Sequence, residues 1–164
     1  MNCSKWAIIH PPRLEAETKE FLKCLQKVCP GMGFTLGVPK IIAMKDDRTG
    51  TYVQDLNKVS SPAIIVKRKT DHVIHCSFFF QLAEMKPDMI MVIVPNNRGE
   101  NYHAIKKILC IDKPLPSQVI TGTVLKKPKG MLSVATKVAI QMASKLGGEP
   151  WSVAIPIKDT MVIG

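Results

Sequence analysis

The chain lacks the features that would assign it at once to several large classes of protein. No apolar run approaches the roughly 18 residues that span a membrane. Its five cysteines are scattered without a Cys-x-x-Cys pair, which argues against a disulfide framework and favours a reducing compartment. The glycine-rich loops of nucleotide-binding enzymes and the nucleophile elbow of hydrolases are absent too. We therefore find no catalytic set in the sequence.

The charged residues are mostly basic. Lysine and arginine number 23 against 13 acidic residues, which gives a formal net charge of +10. Such a charge favours a polyanionic partner, either nucleic acid or an anionic membrane surface, although a simply solvated basic surface is the alternative. The 164 residues, of which 46% are hydrophobic, suffice for one folded domain and exclude a disordered chain.

A strand–turn–helix motif at residues 89–107 organises the rest of the chain. Met89–Val94 is a continuous apolar run, as expected for a strand that is buried on both faces of a parallel sheet. Polar and turn-forming residues follow at 95–101, and Asn101 can cap a basic helix that begins near Tyr102. Because a helix N-terminus favours an anion, the motif predicts a site for a phosphate with a nucleobase attached.

Further strands and helices alternate along the chain. Helices are predicted at 13–28, 51–58 and 132–146, and strands at 6–10, 40–44, 118–123, 153–155 and 160–163. Residues 59–86 resist placement, since 63–66 is strand-like and 74–82 could be a buried strand or a short helix. The alternation predicts an α/β layered domain with a central, mainly parallel sheet flanked by helices. Ligands bind beyond the carboxyl ends of such strands, and the turn after Val94 is such a place.

The candidate anion site gathers Tyr102, Lys106, Gln118, Gln141 and Lys145. Tyr102 and Lys106 are four residues apart and share one face of a helix; Gln141 and Lys145 do the same on a later helix. Lysine suits a phosphate as a point charge, a glutamine amide donates a neutral hydrogen bond, and a tyrosine ring can stack on a base. The alternative, which spacing alone favours, is that the lysines are solvated and the tyrosine is half-buried in the core.

Two loops are further candidates for contact with nucleic acid. Asn96, Asn97 and Arg98 could read or clamp a base edge, or they could form a plain hydrophilic turn. A basic turn could track a phosphate backbone, although a solvated turn is the favoured interpretation. This turn holds Lys126, Lys127 and Lys129.

The sequence gives little support for a metal site or for a catalytic pair of carboxylates. His72, His75 and Cys76 are close in sequence, but no second pair of ligands follows at the spacing of a zinc site, so no metal site is predicted. Asp46 and Asp47 form an acidic pair where a helix cap is expected, and no other carboxylate is tied to them.

Two stretches resemble the MID domain of Argonaute-superfamily proteins, in the PIWI clade. They are MIMVIVPNNRGENYHAIKKILCIDKPLPSQVI at 89–120 and SVATKVAIQMASKLGGEPWSVAIPI at 133–157. The PSQ triplet, the ATK helix with its QM pair, and KLGGE-x-W are similar to PIWI proteins rather than to the microRNA-binding branch. MGF near Met32 and DDRT-x-x-Y near Asp46 extend the likeness to nearly the whole chain, except residues 59–86.

The resemblance implies a Rossmann-like fold that anchors the 5′ end of a small guide RNA, here a PIWI-interacting RNA used in transposon silencing in the germline. In that family a tyrosine stacks on the first base, and lysines and a glutamine hold the 5′ phosphate. Those positions fall on Tyr102, Lys106, Gln118 and Lys145. Gln141 stands where the microRNA-binding relatives have a lysine, and a bound Mg²⁺ could make up the missing charge. The loop that biases the choice of first base holds Asn96, Asn97, Arg98 and Asn101.

The resemblance also implies domain boundaries and partners. Residues 1–155 correspond to the MID domain, with 59–86 as an atypical insertion, and 156–164 to the start of a truncated RNase-H-like domain. The catalytic aspartates of that domain lie outside the chain, so slicing is not expected of it. The implied partners are a guide RNA with a 5′ phosphate and the rest of a parent chain. No membrane partner is implied. A monomer is expected that is not secreted and lies either in the cytoplasm, in germ granules, or in the nucleus.

Two other functions stay open at this point. An α/β domain could bind a mononucleotide and act on it as an enzyme, although the missing motifs argue against that. The chain could instead be an interaction fragment that binds no guide.

Overall fold

The computed structural model describes residues 2–59, 86–127, 129–151 and 161. The strands expected at 63–66, at 153–155 and, apart from Met161, at 160–163 lie outside the described residues. So do the apolar stretch at 74–82 and the trio His72, His75 and Cys76.

Six strands form two parallel sheets within these ranges. They are β1 (Asn2–Cys3), β2 (Trp6–His10), β3 (Thr35–Leu36), β4 (Lys40–Ala43), β5 (Met89–Val94) and β6 (Ser117–Thr121). The larger sheet has the order β4–β2–β5–β6, and each neighbouring pair is parallel. β1 and β3 form a separate two-stranded parallel sheet.

Helices connect these parallel strands. They are α1 (Glu15–Val28), α2 (Thr49–Val59), α3 (Gly99–Lys107), α4 (Gly122–Leu125) and α5 (Met131–Lys145). Short 3-10 turns at Pro12–Leu14 and Pro30–Met32 flank α1. The helix predicted at 132–146 therefore appears one residue earlier. Its buried residues are Met131, Ala135, Val138, Ala139 and Met142, whereas Leu132 is 45% exposed.

β5 separates two hydrophobic cores. Every residue of this strand is buried, and successive side chains of a strand point to opposite faces. Alternate residues that begin with Met89 pack with α1 and α5. Those that begin with Ile90 pack with α2 and α3. The result is a three-layer, Rossmann-like α/β/α arrangement, which confirms the predicted fold class.

The start of α3 differs from the prediction. The helix begins at Gly99, with Arg98 as its N-cap and no side-chain cap hydrogen bond. Asn101, which the sequence presented as the cap, lies inside the first turn and is 6% exposed. Its Oδ1 accepts a hydrogen bond of 2.5 Å from the Thr49 hydroxyl, so the amide ties α3 to α2 instead. The prediction was wrong because a partner 52 residues away in the chain competes for this side chain.

The end of β6 also differs from the prediction. The strand stops at Thr121, and Gly122 begins α4. A Cβ atom added to Gly122 would lie 2.5 Å from Leu14 Cδ1, so this glycine lets α4 approach the residue that precedes α1. Leu14 is itself buried, and the close approach therefore fixes β6 against the helical layer.

Candidate functional site

The ammonium groups of two lysines meet at Ser117, the first residue of β6. Lys106 Nζ, from the last turns of α3, donates to the Ser117 carbonyl oxygen at 3.1 Å and to its hydroxyl oxygen at 2.8 Å. Lys145 Nζ, at the end of α5, donates to the same carbonyl oxygen at 2.9 Å. Two helices that are distant in sequence thus deliver one positive charge each to a single residue.

Among the described residues β6 is an edge strand of the sheet, so the Ser117 carbonyl can accept both bonds. The carbonyl of the preceding residue, Pro116, faces β5 and accepts from Ile90 N at 3.0 Å. Backbone groups of successive strand residues point to opposite sides, so the Ser117 carbonyl points away from β5. Within the described part of the chain, no further strand donates a hydrogen bond to this outward-facing oxygen. The two lysines donate to it instead.

Two glutamines extend the arrangement. Lys145 Nζ also donates to Gln118 Oε1 at 2.6 Å, and Gln118 Nε2 donates to Gln141 Oε1 at 2.9 Å. Because lysine can only donate, the Gln118 oxygen faces Lys145 and its nitrogen faces Gln141. Gln118 is 7% exposed and acts as a buried bridge, whereas Gln141 is exposed and keeps its amide nitrogen for another acceptor. The lysine–glutamine cluster is defined by Lys106, Ser117, Gln118, Gln141 and Lys145.

The cluster carries two positive charges at close range. The two Nζ atoms lie no more than about 6 Å apart, since Nζ–O distances of 3.1 and 2.9 Å share one oxygen. Burial lowers the pKa of Lys145, and the charge of Lys106 lowers it further. Among the described residues, neither lysine forms an ion pair with a carboxylate. An anion placed here would relieve the repulsion between the two ammonium groups.

Tyr102 lies one helical turn before Lys106 on α3. Its side chain is 47% exposed, and its ring makes an edge contact with the His103 ring at a centroid distance of 6.1 Å. Tyr102 is thus half-buried, as the alternative interpretation expected, but it belongs to neither of the two hydrophobic cores. A base can reach an aromatic surface of this kind.

The turn before α3 borders an open pocket that is separate from the lysine–glutamine cluster. Asn96, Arg98 and Asn101 line an open pocket of about 500 Å³, which Asn97 does not line. The backbone N–H of Arg98 donates to Asn96 Oδ1 at 3.3 Å and shapes the turn. The pocket lies at the carboxyl ends of β2, β4 and β5; its other lining residues are Arg13, Asp47, Arg48, Thr49, Pro95 and Glu100.

The structure separates the two ends of the candidate site. The turn lies beyond the carboxyl end of β5, whereas the lysine–glutamine cluster lies at the amino end of β6. α3 links them, and the eight helical steps from its N-cap Arg98 to Lys106 span about 12 Å at 1.5 Å per step. The turn thus lies beyond the carboxyl end of a strand, where a ligand was expected, whereas the lysines lie at the amino end of β6. The lysines stand at the ends of helices that return toward the amino ends of the strands.

Ser117 is the member of the cluster that sequence reasoning missed. It was quoted in the PSQ triplet, yet a neutral serine at a loop-to-strand junction carries no charge or periodicity that marks it. Lys126, Lys127 and Lys129 are exposed, and no hydrogen bond or ion pair joins them to the cluster among the described residues. No group of three His, Cys, Asp or Glu side chains within the described ranges could hold a metal ion. No described helix is long and apolar enough to cross a membrane.

Comparisons with known proteins show which family the chain is similar to. A sequence profile of the Piwi domain matches residues 89–164. Protein aubergine of Drosophila melanogaster is 33% identical over 168 residues, which cover 100% of this chain and 17% of that protein. Protein piwi of the same organism is 32% identical over 160 residues, or 98% of this chain and 16% of that protein. The chain thus spans about a sixth of the length of these relatives.

Solved structures of Piwi and Argonaute proteins are also similar to this chain. The crystal structure of Drosophila Piwi matches with a TM-score of 0.73 and 32% identity, covering 93% of this chain and 18% of that one. The Arabidopsis thaliana AGO5 MID domain matches with a TM-score of 0.63 and 18% identity, covering 90% of this chain and 91% of that one. The second match is with an isolated domain of similar extent, and it shows the fold alone.

Proposed function

The chain belongs to the PIWI clade of Argonaute proteins and corresponds to their MID region, and from this we propose that it binds the 5′ monophosphate and first base of a small guide RNA. The observation that supports the proposal most strongly is the pair of ammonium groups on Ser117. Both ammonium groups donate to the carbonyl oxygen of Ser117. Neither forms an ion pair with a carboxylate in the described part of the chain.

The hydrogen-bond donors of the cluster suit a phosphate. Each lysine has three N–H donors, of which two are used within the cluster, so Lys106 and Lys145 keep one each. Gln141 adds an outward amide nitrogen. Charge-assisted hydrogen bonds to phosphate oxygens are the strong class of such bonds. Gln118 contributes indirectly, since its amide orients both Lys145 and Gln141.

The position of Tyr102 suits the base that is attached to this phosphate. Four residues of helix separate Tyr102 from Lys106, which is about 6 Å along the axis. A nucleotide can bridge that distance with its phosphate at the cluster and its base on the exposed ring. The base then lies near the turn that holds Asn96, Asn97, Arg98 and Asn101. Because Thr49 occupies the Asn101 oxygen, we expect the other residues of the turn to read the base.

A Mg²⁺ ion fits this donor set only together with the phosphate. The side-chain oxygens in the cluster are neutral, and no cluster of acidic ligands exists among the described residues. Mg²⁺ prefers oxygen ligands and is often held through substrate phosphates. The amide oxygens of Gln118 and Gln141 would hold it, and the ion would supply positive charge against the phosphate where Gln141 supplies none.

The proposed role is that of a binding module without catalysis of its own. In this proposal residues 1–155 correspond to the MID domain and 156–164 to the start of the RNase-H-like domain. The guide is a PIWI-interacting RNA, and the biological outcome is RNA-guided silencing of transposons in the germline. The rest of a parent Argonaute chain is the expected protein partner.

The experiment compares two RNAs that differ only at the 5′ end. Fluorescence anisotropy of the 164-residue protein is measured with one short single-stranded RNA bearing either a 5′ phosphate or a 5′ hydroxyl. The phosphorylated RNA should bind more tightly, and Lys106→Gln should remove most of that difference. Lys107→Gln is the matched control, since Lys107 is the exposed neighbour and has the same charge. Equal affinity for both RNAs would reduce the interaction to general basic attraction and refute the proposal.

A further inference from the structure

Ser117 holds the two lysines of the cluster together although it is itself uncharged. The residue is 3% exposed. Its carbonyl oxygen accepts from both ammonium groups, and its hydroxyl oxygen accepts from Lys106 alone. The neighbouring elements thus place the Ser117 carbonyl oxygen between the two charges and its hydroxyl, the one hydroxyl of the cluster, beside Lys106.

We propose that Ser117 is a positioning residue of the phosphate site: its hydroxyl fixes the direction in which Lys106 donates, and the hydroxyl hydrogen is donated to the same phosphate. The proposal rests on the proposed function of the cluster. It assigns a role to a residue that has no charge, and it predicts which of the two lysines depends on that residue.

The argument follows from the number of bonds that each ammonium group makes. An ammonium nitrogen with two of its N–H bonds engaged has the direction of the third one fixed. Lys106 reaches this state only through Ser117, which supplies both acceptors. Lys145 has one acceptor on Ser117 and another on Gln118. Loss of the Ser117 hydroxyl would therefore free Lys106 to rotate and leave Lys145 oriented, because the carbonyl is part of the backbone.

The hydroxyl hydrogen of Ser117 is a further possible donor to a ligand. A serine hydroxyl has one hydrogen and can donate while its oxygen accepts. Since the Ser117 hydroxyl oxygen accepts from Lys106 Nζ at 2.8 Å, its hydrogen can be donated to another acceptor. A phosphate held by the third N–H of each lysine would bring an oxygen to this side of the cluster.

The test compares Ser117→Thr with Ser117→Val. The two substituted side chains have nearly equal volume and differ in the hydroxyl, and both favour a strand. Affinity for 5′-phosphorylated RNA should fall about tenfold from the threonine to the valine variant, as expected for a hydrogen bond with a charged group. Affinity for 5′-hydroxyl RNA should be the same for both variants. Ser144→Ala is a control, since that hydroxyl bonds the carbonyl of Ile140 within its own helix at 3.0 Å.

A double-mutant cycle separates positioning from general support of the structure. Ser117→Val and Lys106→Gln should be strongly non-additive, because the first change removes what orients the second residue. Ser117→Val and Lys145→Gln should be closer to additive. Equal affinities of the threonine and valine variants, in a protein that still distinguishes the two RNAs, would overturn the role of Ser117 alone. A wild-type protein that does not distinguish the RNAs would instead refute the proposed function.

Discussion

Replacement of Lys145 by glutamine removes one of the two charges at Ser117 and keeps a side chain of similar reach. The remaining charge of the cluster is then Lys106, still held by the Ser117 carbonyl and hydroxyl oxygens. The backbone should be unaffected, because Lys145 is the last residue of α5 and is an exposed residue. The substitution therefore removes the charge of Lys145 together with its hydrogen bonds to Ser117 and Gln118.

The size of the effect follows from Coulomb's law. At 4 Å, two unit charges attract by about 1 kcal/mol in bulk water and by about 4 kcal/mol at an effective dielectric constant of 20. A phosphate monoester carries about −1.5 to −2 charges at pH 7. Because Lys145 is only partly buried within the cluster and its residue surface is largely open to solvent, solvent screens the interaction and the lower limit applies. We therefore expect a loss of about 2 kcal/mol, or roughly 30-fold in Kd.

Anisotropy titrations of Lys145→Gln and Lys137→Gln with both RNAs measure this loss. Lys137 lies on the same helix and is exposed, so its replacement changes the net charge equally without altering the cluster. Only Lys145→Gln should weaken the phosphorylated RNA relative to the 5′-hydroxyl RNA. Equal losses for the two variants, or a 5′-phosphate preference that survives Lys145→Gln, would refute the electrostatic reasoning.

Four further results are expected. Since the pKa of Lys145 is lowered, its ammonium loses a proton at a lower pH than a free lysine does. The affinity for 5′-phosphorylated RNA, measured as a function of pH, should therefore decrease at alkaline pH. The decrease should be smaller in Lys145→Gln. Tyr102→Ala should weaken binding about tenfold through lost stacking while Tyr102→Phe should not, which competition assays can check. A chelator should weaken binding of phosphorylated RNA only, if Mg²⁺ bridges the phosphate; unchanged affinity would exclude that role. Gly122→Ala, whose Cβ meets Leu14 Cδ1 at 2.5 Å, should lower the free energy of unfolding by roughly 1 to 3 kcal/mol in urea titrations; wild-type stability would contradict the packing argument.

The parts of the fold that depend on local pattern were predictable from the sequence. The apolar run of β5 and the amphipathic pattern of α5 each appear within one residue of the predicted bounds. Both signals are repeated over many residues, so no single contact can override them. The parallel α/β class followed from the order of these elements.

The parts that depend on partners distant in sequence were not predictable. Asn101 looked like a helix cap because its preference for caps is a local property, yet Thr49 captures its amide. The π-helical turn at Ile108–Asp112, which follows α3, had no sequence signal. Ser117 joined the site through a backbone carbonyl, and every residue has one. Such groups become functional only when the fold brings donors to them.

The candidate site itself was partly predictable. Helical spacing placed Lys106 and Lys145 on defined helix faces, but spacing alone favoured solvated lysines. The resemblance to PIWI proteins, and not periodicity, selected these residues. The structure joins four of the five proposed phosphate-site residues in one hydrogen-bonded network, with Tyr102 one turn away.

The central claim is tested most directly by NMR titration of the folded 164-residue protein with nucleoside 5′-monophosphates and with the matching nucleosides. The claim predicts saturable shifts at Tyr102, Lys106, Gln118 and Lys145 with the monophosphates and much weaker ones with the nucleosides. Absence of shifts in a folded sample, or equal shifts with and without the phosphate, would contradict a 5′-phosphate anchor at this cluster.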